Sequence, residues 1–205
     1  MIKLLGKIPI TVNVAVSGGP DSMAVLDFLR KGKRNVTAVY FNHNTAHGYT
    51  AQGFVTNYCI ENEIPLITGH IKNPDPMGKS KEEYWRNERH AFFTSLDGPV
   101  VTGHHLDDSV EWWVFSSLHG TGRLIPYSRD NVIRPFLLTP RSSLLAWNDK
   151  NNLPYLNDPG NKDESFMRSI VRHRIVPEAL RVNPGLRKVL FKKIQSESVN
   201  LEASR

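Results

Sequence analysis

Two short stretches carry most of the side chains that could do chemistry. Ser17-Gly18-Gly19-Pro20-Asp21-Ser22 joins two glycines to two hydroxyls and a carboxylate, and His104-His105-Leu106-Asp107-Asp108 sets two imidazoles beside two carboxylates. In the first, the glycines let backbone approach a ligand closely, and free N–H groups at a helix start favour an anion. Ser17 and Ser22 add hydroxyl donors, and Asp21 can hold a magnesium ion against phosphate oxygens. The stretch therefore reads as a phosphate cradle. It lacks the Gly-Lys-Ser/Thr ending of the nucleotide triphosphate loop and the spacing of a dinucleotide G-x-G-x-x-G turn. The second stretch fits a metal site, a general-base pair or the cap of the next helix. Its carboxylates suit nucleotide-bound magnesium better than zinc, because soft ligands are absent.

Both stretches need a scaffold that presents them. Val12, Val14 and Val16 alternate with Thr11, Asn13 and Ala15, as in a strand leading into the first cluster. Met23 to Leu29 then reads as a helix that ends at Gly32, a residue suited to the left-handed position past a C-terminus. Further strands are expected at 36–41, 65–68 and 100–102. Helices are expected at 51–61, where Phe54, Val55, Tyr58 and Cys59 face inward, and from the Ser80 cap to about Phe93. Residues 70–79 read as a loop. Trp112, Trp113 and Phe115 read as core, and 133–137 returns to buried structure. Thr139-Pro140 reads as an N-cap and first-turn proline. Asn157 to Asn161 reads as a linker, and a last helix is expected after Asn183-Pro184-Gly185.

Alternating strands and helices predict an α/β fold with a parallel sheet. Ligands bind such sheets beyond the carboxyl ends of the strands, where Ser17, Asn42, His43, Gly103 and His104 all fall.

The 205 residues suit one domain with a small C-terminal addition, divided here at 1–160 and 161–205. Cys59 is the single cysteine, which excludes an internal disulfide and a four-cysteine metal site and suits a reducing cytoplasm. No stretch has the length of a membrane span. The net charge of +6 is unevenly placed: residues 1–165 carry 17 basic and 17 acidic side chains, residues 166–205 carry 9 and 3. The basic helical segment fits either a nucleic-acid-facing surface or a solvated helix face.

Ser17 to Ser22 resembles the pyrophosphate loop of the PP-loop ATP pyrophosphatases, which cleave ATP to AMP and pyrophosphate. With further motifs, the chain from about Val12 to Gly185 resembles the tRNA(Ile)-lysidine synthetases. These are Asn42-His43, Glu83-x-x-Arg86-x-x-Arg89-His90 and Gly103 to Glu111, then Asp158-Pro159-Gly160-Asn161 followed by Arg168, Val171-Arg172-His173-Arg174-Ile175 and Pro177. The resemblance implies a Rossmann-like, adenine nucleotide alpha hydrolase-like domain that uses ATP and magnesium. It implies that the wobble cytidine of a CAU-anticodon tRNA is adenylated and that free lysine then displaces AMP.

On this resemblance Ser17, Gly18, Gly19, Pro20, Asp21 and Ser22 bind the leaving pyrophosphate, and Asp21 also stands by the metal. Catalysis falls to Asp21, His104, Asp107, Asp108 and Glu111, the last four surrounding the reacting base and the lysine amine. Arg86 and Arg89 grip RNA phosphate or substrate carboxylate, and His43, Arg168, Arg172, His173 and Arg174 complete the substrate side. A homodimer is an allowed assembly. The chain departs from the family pattern at Gly160, at Asn44-Thr45-Ala46 and at Arg123-Leu124. Thiolation of RNA is disfavoured because Cys59 stands alone. A PP-loop enzyme acting on another RNA or a small substrate, and a module that binds ATP and RNA without catalysis, are the remaining rivals.

Overall fold

The computed structural model describes residues 1–73, 78, 80–158 and 167–203, with side chains to residue 198. The valine run forms strand β1 (Thr11–Ala15), followed by α1 (Pro20–Lys31), β2 (Asn35–Asn42) and α2 (Ala46–Glu61). Next come β3 (Leu66–His70), α3 (Lys81–Thr94), β4 (Val100–Val101) and α4 (Leu106–Leu118). A short hairpin of β5 (Ser128–Arg129) and β6 (Val132–Ile133) leads to α5 (Arg141–Asn151). Further along the chain lie α6 (Met167–Ile170), a π-helical stretch (Val171–Ile175), α7 (Val176–Val182) and α8 (Leu186–Ala203).

The sheet runs β3-β2-β1-β4-β6-β5, with every pairing parallel except the β5–β6 hairpin. This is the expected α/β architecture, and the antiparallel edge is what periodicity did not foresee. Two-residue strands offer no alternation to read.

Strand β2 shows both faces at work. Val36, Ala38 and Tyr40 join the cluster under α1, α2 and α5, while Val39 and Phe41 join the cluster under α3. A third cluster joins α4 to Leu137, Leu138 and the C-terminal helices through Val171, Leu186, Leu190 and Ile194. The segment from Met167 onward thus shares apolar packing with the helix that bears the second acidic cluster. Pro159, Gly160 and Asn161 of the expected linker lie outside the described residues.

Three local expectations are corrected. Gly32 has φ −76°, and the left-handed turn falls on Lys33, φ +58°. Thr139 does not cap α5, whose cap is Pro140. Its hydroxyl instead donates to the Lys3 carbonyl at 2.6 Å and accepts the Lys3 N–H at 3.0 Å, tying the N-terminus to the core. Trp112 is not core: it stays partly exposed, stacked on Phe115 at 5.7 Å. Helix α2 also starts earlier than expected, because the Thr45 hydroxyl accepts the Gly48 N–H at 2.9 Å.

Helix α5 is fastened along α1 by polar contacts in an apolar setting. Trp147 Nε1–H donates to the fully buried Asp27 at 2.9 Å, and Asn148 Nδ2 donates to the Pro20 carbonyl at 2.9 Å. Trp147→Phe keeps the ring's edge contact with Phe28 but removes one of the two donors on Asp27 Oδ2, the other being Lys31 Nζ at 3.0 Å. That loss costs about 1–3 kcal/mol. A thermal melt is expected to drop by roughly 2–10 °C, and an unchanged melting temperature would show that the bond does not hold α5 in place.

Candidate functional site

Strand order reverses at β1, which has β2 on one side and β4 on the other. A crevice opens at such a switch point, beyond the carboxyl ends of the two strands. The loop after β1 is Ser17 to Gly19 and the loop after β4 is Thr102 to His105, so both chemical clusters meet there. Gly103 backs directly on the first turn of α1: a Cβ built at Gly103 would lie 3.5 Å from the Ser22 Cα.

The Ser17–Ser22 loop is pre-shaped by its own hydrogen bonds. Ser22 Oγ accepts the Ser17 N–H at 3.0 Å, donates to the Gly19 carbonyl at 3.0 Å and lies 3.2 Å from Ser17 Oγ. Gly18 adopts φ +79°, a left-handed conformation that disfavours any side chain. Its carbonyl accepts the Leu156 N–H at 2.9 Å, so the chain after α5 is pinned across the loop. The first turn of α1 leaves N–H groups without helical carbonyls, and they open onto the crevice.

Helix α4 begins with a reciprocal cap. His105 Nδ1 accepts the Asp108 N–H at 3.2 Å, and Asp108 Oδ2 accepts the His105 N–H at 3.0 Å. An accepting Nδ1 places the ring proton on Nε2, which lies 3.7 Å from Asp21 Oδ2. His105, 4 % exposed, thereby links the two clusters.

Each acid of the site meets a guanidinium. Asp21 takes Arg141 Nε on both oxygens, at 3.2 and 3.3 Å. Asp107 takes Arg187 Nε at 2.7 Å and the Arg141 backbone N–H at 2.8 Å. Asp108 takes a terminal nitrogen of Arg172 at 3.3 Å. Glu111, 3 % exposed, is gripped by Arg172 Nε at 2.6 Å and by Arg168 at 2.9 and 3.1 Å. The π-helical stretch carries Arg172 into this network.

Burial works to raise the Asp21 carboxyl, but His105 and then Arg141 outweigh it and hold the group below its usual range. Asp107 is likewise lowered against its burial by Arg141 and Arg187. His105 is raised in spite of burial because Asp108 and Asp21 face it. Arg172 is raised against burial by Glu111 and Asp108.

A second, cationic side lies toward α3. His104, held by Thr102 Oγ1 at 2.8 Å from Nδ1, is pushed down to about 4, mainly by burial. His43, packed edge-on against Phe41 at 5.2 Å and tilted against Trp85 at 5.1 Å, is pushed down to about 4 by burial and the Arg89 charge. Arg89 itself is lowered by burial, with Arg168 and Arg86 nearby. A cavity of about 240 Å³ opens alongside, among Glu82, Trp85, Glu111, Arg168, Ser169 and Arg172.

The structure thus brings Asp21, Asp107, Asp108, Glu111, Arg168 and Arg172 into one network, with His43, His104 and Arg89 on its flank. Arg86, His173 and Arg174 are exposed. Sequence reading missed Arg141, Arg187 and the bridging role of His105. Arg141 and Arg187 lie 120 and 80 positions from their acidic partners, so spacing could not connect them.

The PP-loop domain family matches residues 7–179, and the chain belongs to that family. It is 33 % identical over 200 residues to the tRNA(Ile)-lysidine synthase of Thermotoga maritima, covering 89 % of this chain and 48 % of the relative. It is 27 % identical over 209 residues to that of Francisella tularensis subsp. novicida, covering 94 % of this chain and 52 % of the relative. The chain spans about half the length of these relatives. Among solved structures, an NH3-dependent NAD synthetase from Campylobacter jejuni shares the fold, with TM-score 0.50 and 15 % identity over 93 % of this chain and 86 % of that one. Among the described residues no helix is long and apolar enough to cross a membrane.

His43 and His104 titrate below the ordinary 6.5, so the unfolded chain takes up protons that the folded chain refuses. The stability this supports is present above about 6.5 and is lost as pH falls toward about 4. Urea midpoints are expected to fall from pH 7 to pH 5, with a shallower fall in His104→Gln. An NMR titration in which His104 charges near its ordinary value would contradict the neutral assignment.

Proposed function

We propose that the chain is the ATP-using part of a tRNA-modifying ligase: it adenylates the wobble cytidine of a CAU-anticodon tRNA(Ile) and joins lysine to it. The observation that carries this reading is the meeting of a pyrophosphate-type cradle with four carboxylates at one switch point. The likeness to tRNA(Ile)-lysidine synthases supports tRNA as the substrate class.

In the first step cytidine O2 attacks the α-phosphorus of ATP. An O–P bond forms, the α–β phosphoanhydride breaks and pyrophosphate leaves. In the second step the lysine side-chain amine attacks C2 of the base; AMP leaves and the nitrogen gives up a proton. Neither step requires a protein nucleophile, so positioning and charge complementarity supply the catalysis.

Ser17 to Ser22 bind the departing pyrophosphate through hydroxyl and N–H donors. Among the described residues no three His, Cys, Asp or Glu groups converge as a metal cage. Asp21, ionised and beside the cradle, fits magnesium brought in on ATP, since that ion is commonly held by one or two carboxylates plus phosphate oxygens. When bound, the ion neutralises charge building on the leaving oxygens. Asp108 receives the lysine ammonium and takes its proton before the amine attacks, while Glu111 stays paired with Arg168 and Arg172 beside it. Neutral His104 and His43 allow the base and the amine to approach without adding cationic repulsion. Arg86 and Arg89 face RNA phosphate or the lysine carboxylate.

The segment 161–205 is the tRNA-facing unit of this proposal, supported by exposed Lys188, Lys192 and Lys193 on α8 and exposed Arg174. Phosphate contacts by such side chains make affinity fall with salt.

The test is AMP and pyrophosphate release from magnesium ATP, with and without CAU-anticodon tRNA and lysine. Both products and a lysine-modified cytidine are expected only with RNA and lysine together. Asp21→Asn is expected to lower the rate by about a hundredfold or more. Binding of ATP and tRNA with no turnover would sink the reading for this chain.

A further inference from the structure

We propose that Arg141 is a pyrophosphate-binding residue, parked on Asp21 in the ligand-free chain and released to the polyphosphate when magnesium ATP enters. The inference rests on the ATP-cleaving reading and assigns a residue to it.

The cradle has no cation of its own. Ser17 to Ser22 offer hydroxyls, N–H groups and an acid, with no lysine or arginine. Pyrophosphate leaves as a polyanion, so a fixed positive charge next to the loop is the missing complement. Among the described residues the basic side chains paired with Asp21 are Arg141 and His105, and Arg172 interacts with it at longer range. His105 is committed: it is buried and its Nδ1 caps α4. Arg141 is not.

The root of Arg141 is rigid. Its backbone N–H is held by Asp107 Oδ2, and α5 is bonded to α1 through Trp147 and Asn148. Its head is adaptable, with 48 % of the side chain exposed. It touches Asp21 through Nε alone, so among the described residues its two terminal NH2 groups have no partner. Four N–H donors on a permanent cation therefore stand beside the phosphate cradle.

The two occupants of Asp21 exclude each other. A carboxylate that takes magnesium cannot keep both oxygens on Arg141 Nε. The incoming ion displaces the guanidinium toward the phosphate oxygens that arrive with it, and the number of charge pairs is preserved. Arg168 and Arg172 cannot substitute, because both are engaged by Glu111.

A rival role predicts the opposite sign. If Arg141 only blocked Asp21, removing it would tighten ligand binding. Calorimetric titration with magnesium pyrophosphate, without RNA or lysine, separates the two. Arg141→Gln is expected to bind about tenfold or more weakly, Arg141→Lys to fall between, and Arg181→Gln, which removes an exposed charge elsewhere, to match the parent. KM for ATP should rise in Arg141→Gln more than kcat falls.

With metal chelated, Asp21→Asn frees Arg141 and is expected to tighten pyrophosphate binding. That gain should vanish in the Asp21→Asn, Arg141→Gln double variant, because the two side chains act as a pair. Equal or tighter binding by folded Arg141→Gln overturns the role of Arg141 and leaves the ATP reading standing. A parent chain that binds no pyrophosphate overturns both.

Discussion

Three helix N-termini meet beyond β1 and β4, and the positive ends of their dipoles are the constraint on which the site depends. Helix α1 carries Asp21, α4 carries Asp107 and Asp108, and α5 begins at Arg141. Peptide dipoles aimed at one crevice favour anions there, so acids in the first turns of α1 and α4 are stabilised where they stand. His105 joins two of these ends: it caps α4 with one nitrogen and faces Asp21 with the other. Moving that ring would disturb the helix start and the loop acid together. The burial of Thr102, His105 and Ser109 follows from the same demand for a fixed junction.

The acids exceed what the dipoles alone can balance. Glu111 lies a turn inside α4, almost fully enclosed, and a lone carboxylate there would carry a large desolvation cost. Arg168 and Arg172 approach it from the C-terminal segment, and Arg187 approaches Asp107. This changes the meaning of the charge asymmetry along the chain. Of the 9 basic residues after position 165, Arg168, Arg172 and Arg187 pair with acids of the site. Lys188, Lys192 and Lys193 remain exposed on α8. The basic segment is therefore partly an internal counter-charge, an option that neither a nucleic-acid surface nor a solvated helix describes.

What could be read from sequence follows the range of the physics involved. The β1 valines and the Gly-rich loop are local signals, and so is the pairing of Ser80 with Glu83 at the start of α3. The parallel sheet and the meeting of the loops after β1 and β4 followed from strand-helix alternation alone. Gly32 was misread because the left-handed turn fell one residue later, on Lys33, where the chain needed it. Thr139 was misread because its hydroxyl answers Lys3, 136 positions away. Such a contact leaves no trace in local periodicity. The same distance hid Arg141, which looks in sequence like any exposed residue opening a helix.

That concealment has a physical reason. A residue that holds a ligand transiently must be anchored at its backbone and uncommitted at its tip, and both properties are tertiary. Arg141 gains its anchor from Asp107 on α4 and from the bonds of α5 to α1, three elements remote in sequence. Its tip stays adaptable because Asp21 engages only Nε. Glu111 shows the contrasting design: it is enclosed and held by two arginines, so releasing it would strand a buried charge. Partly exposed pairs such as Arg141 with Asp21 exchange partners at much lower cost, since water screens the separated charges. Within one network, burial thus divides the ion pairs that hold the fold from the pair that a polyphosphate can open.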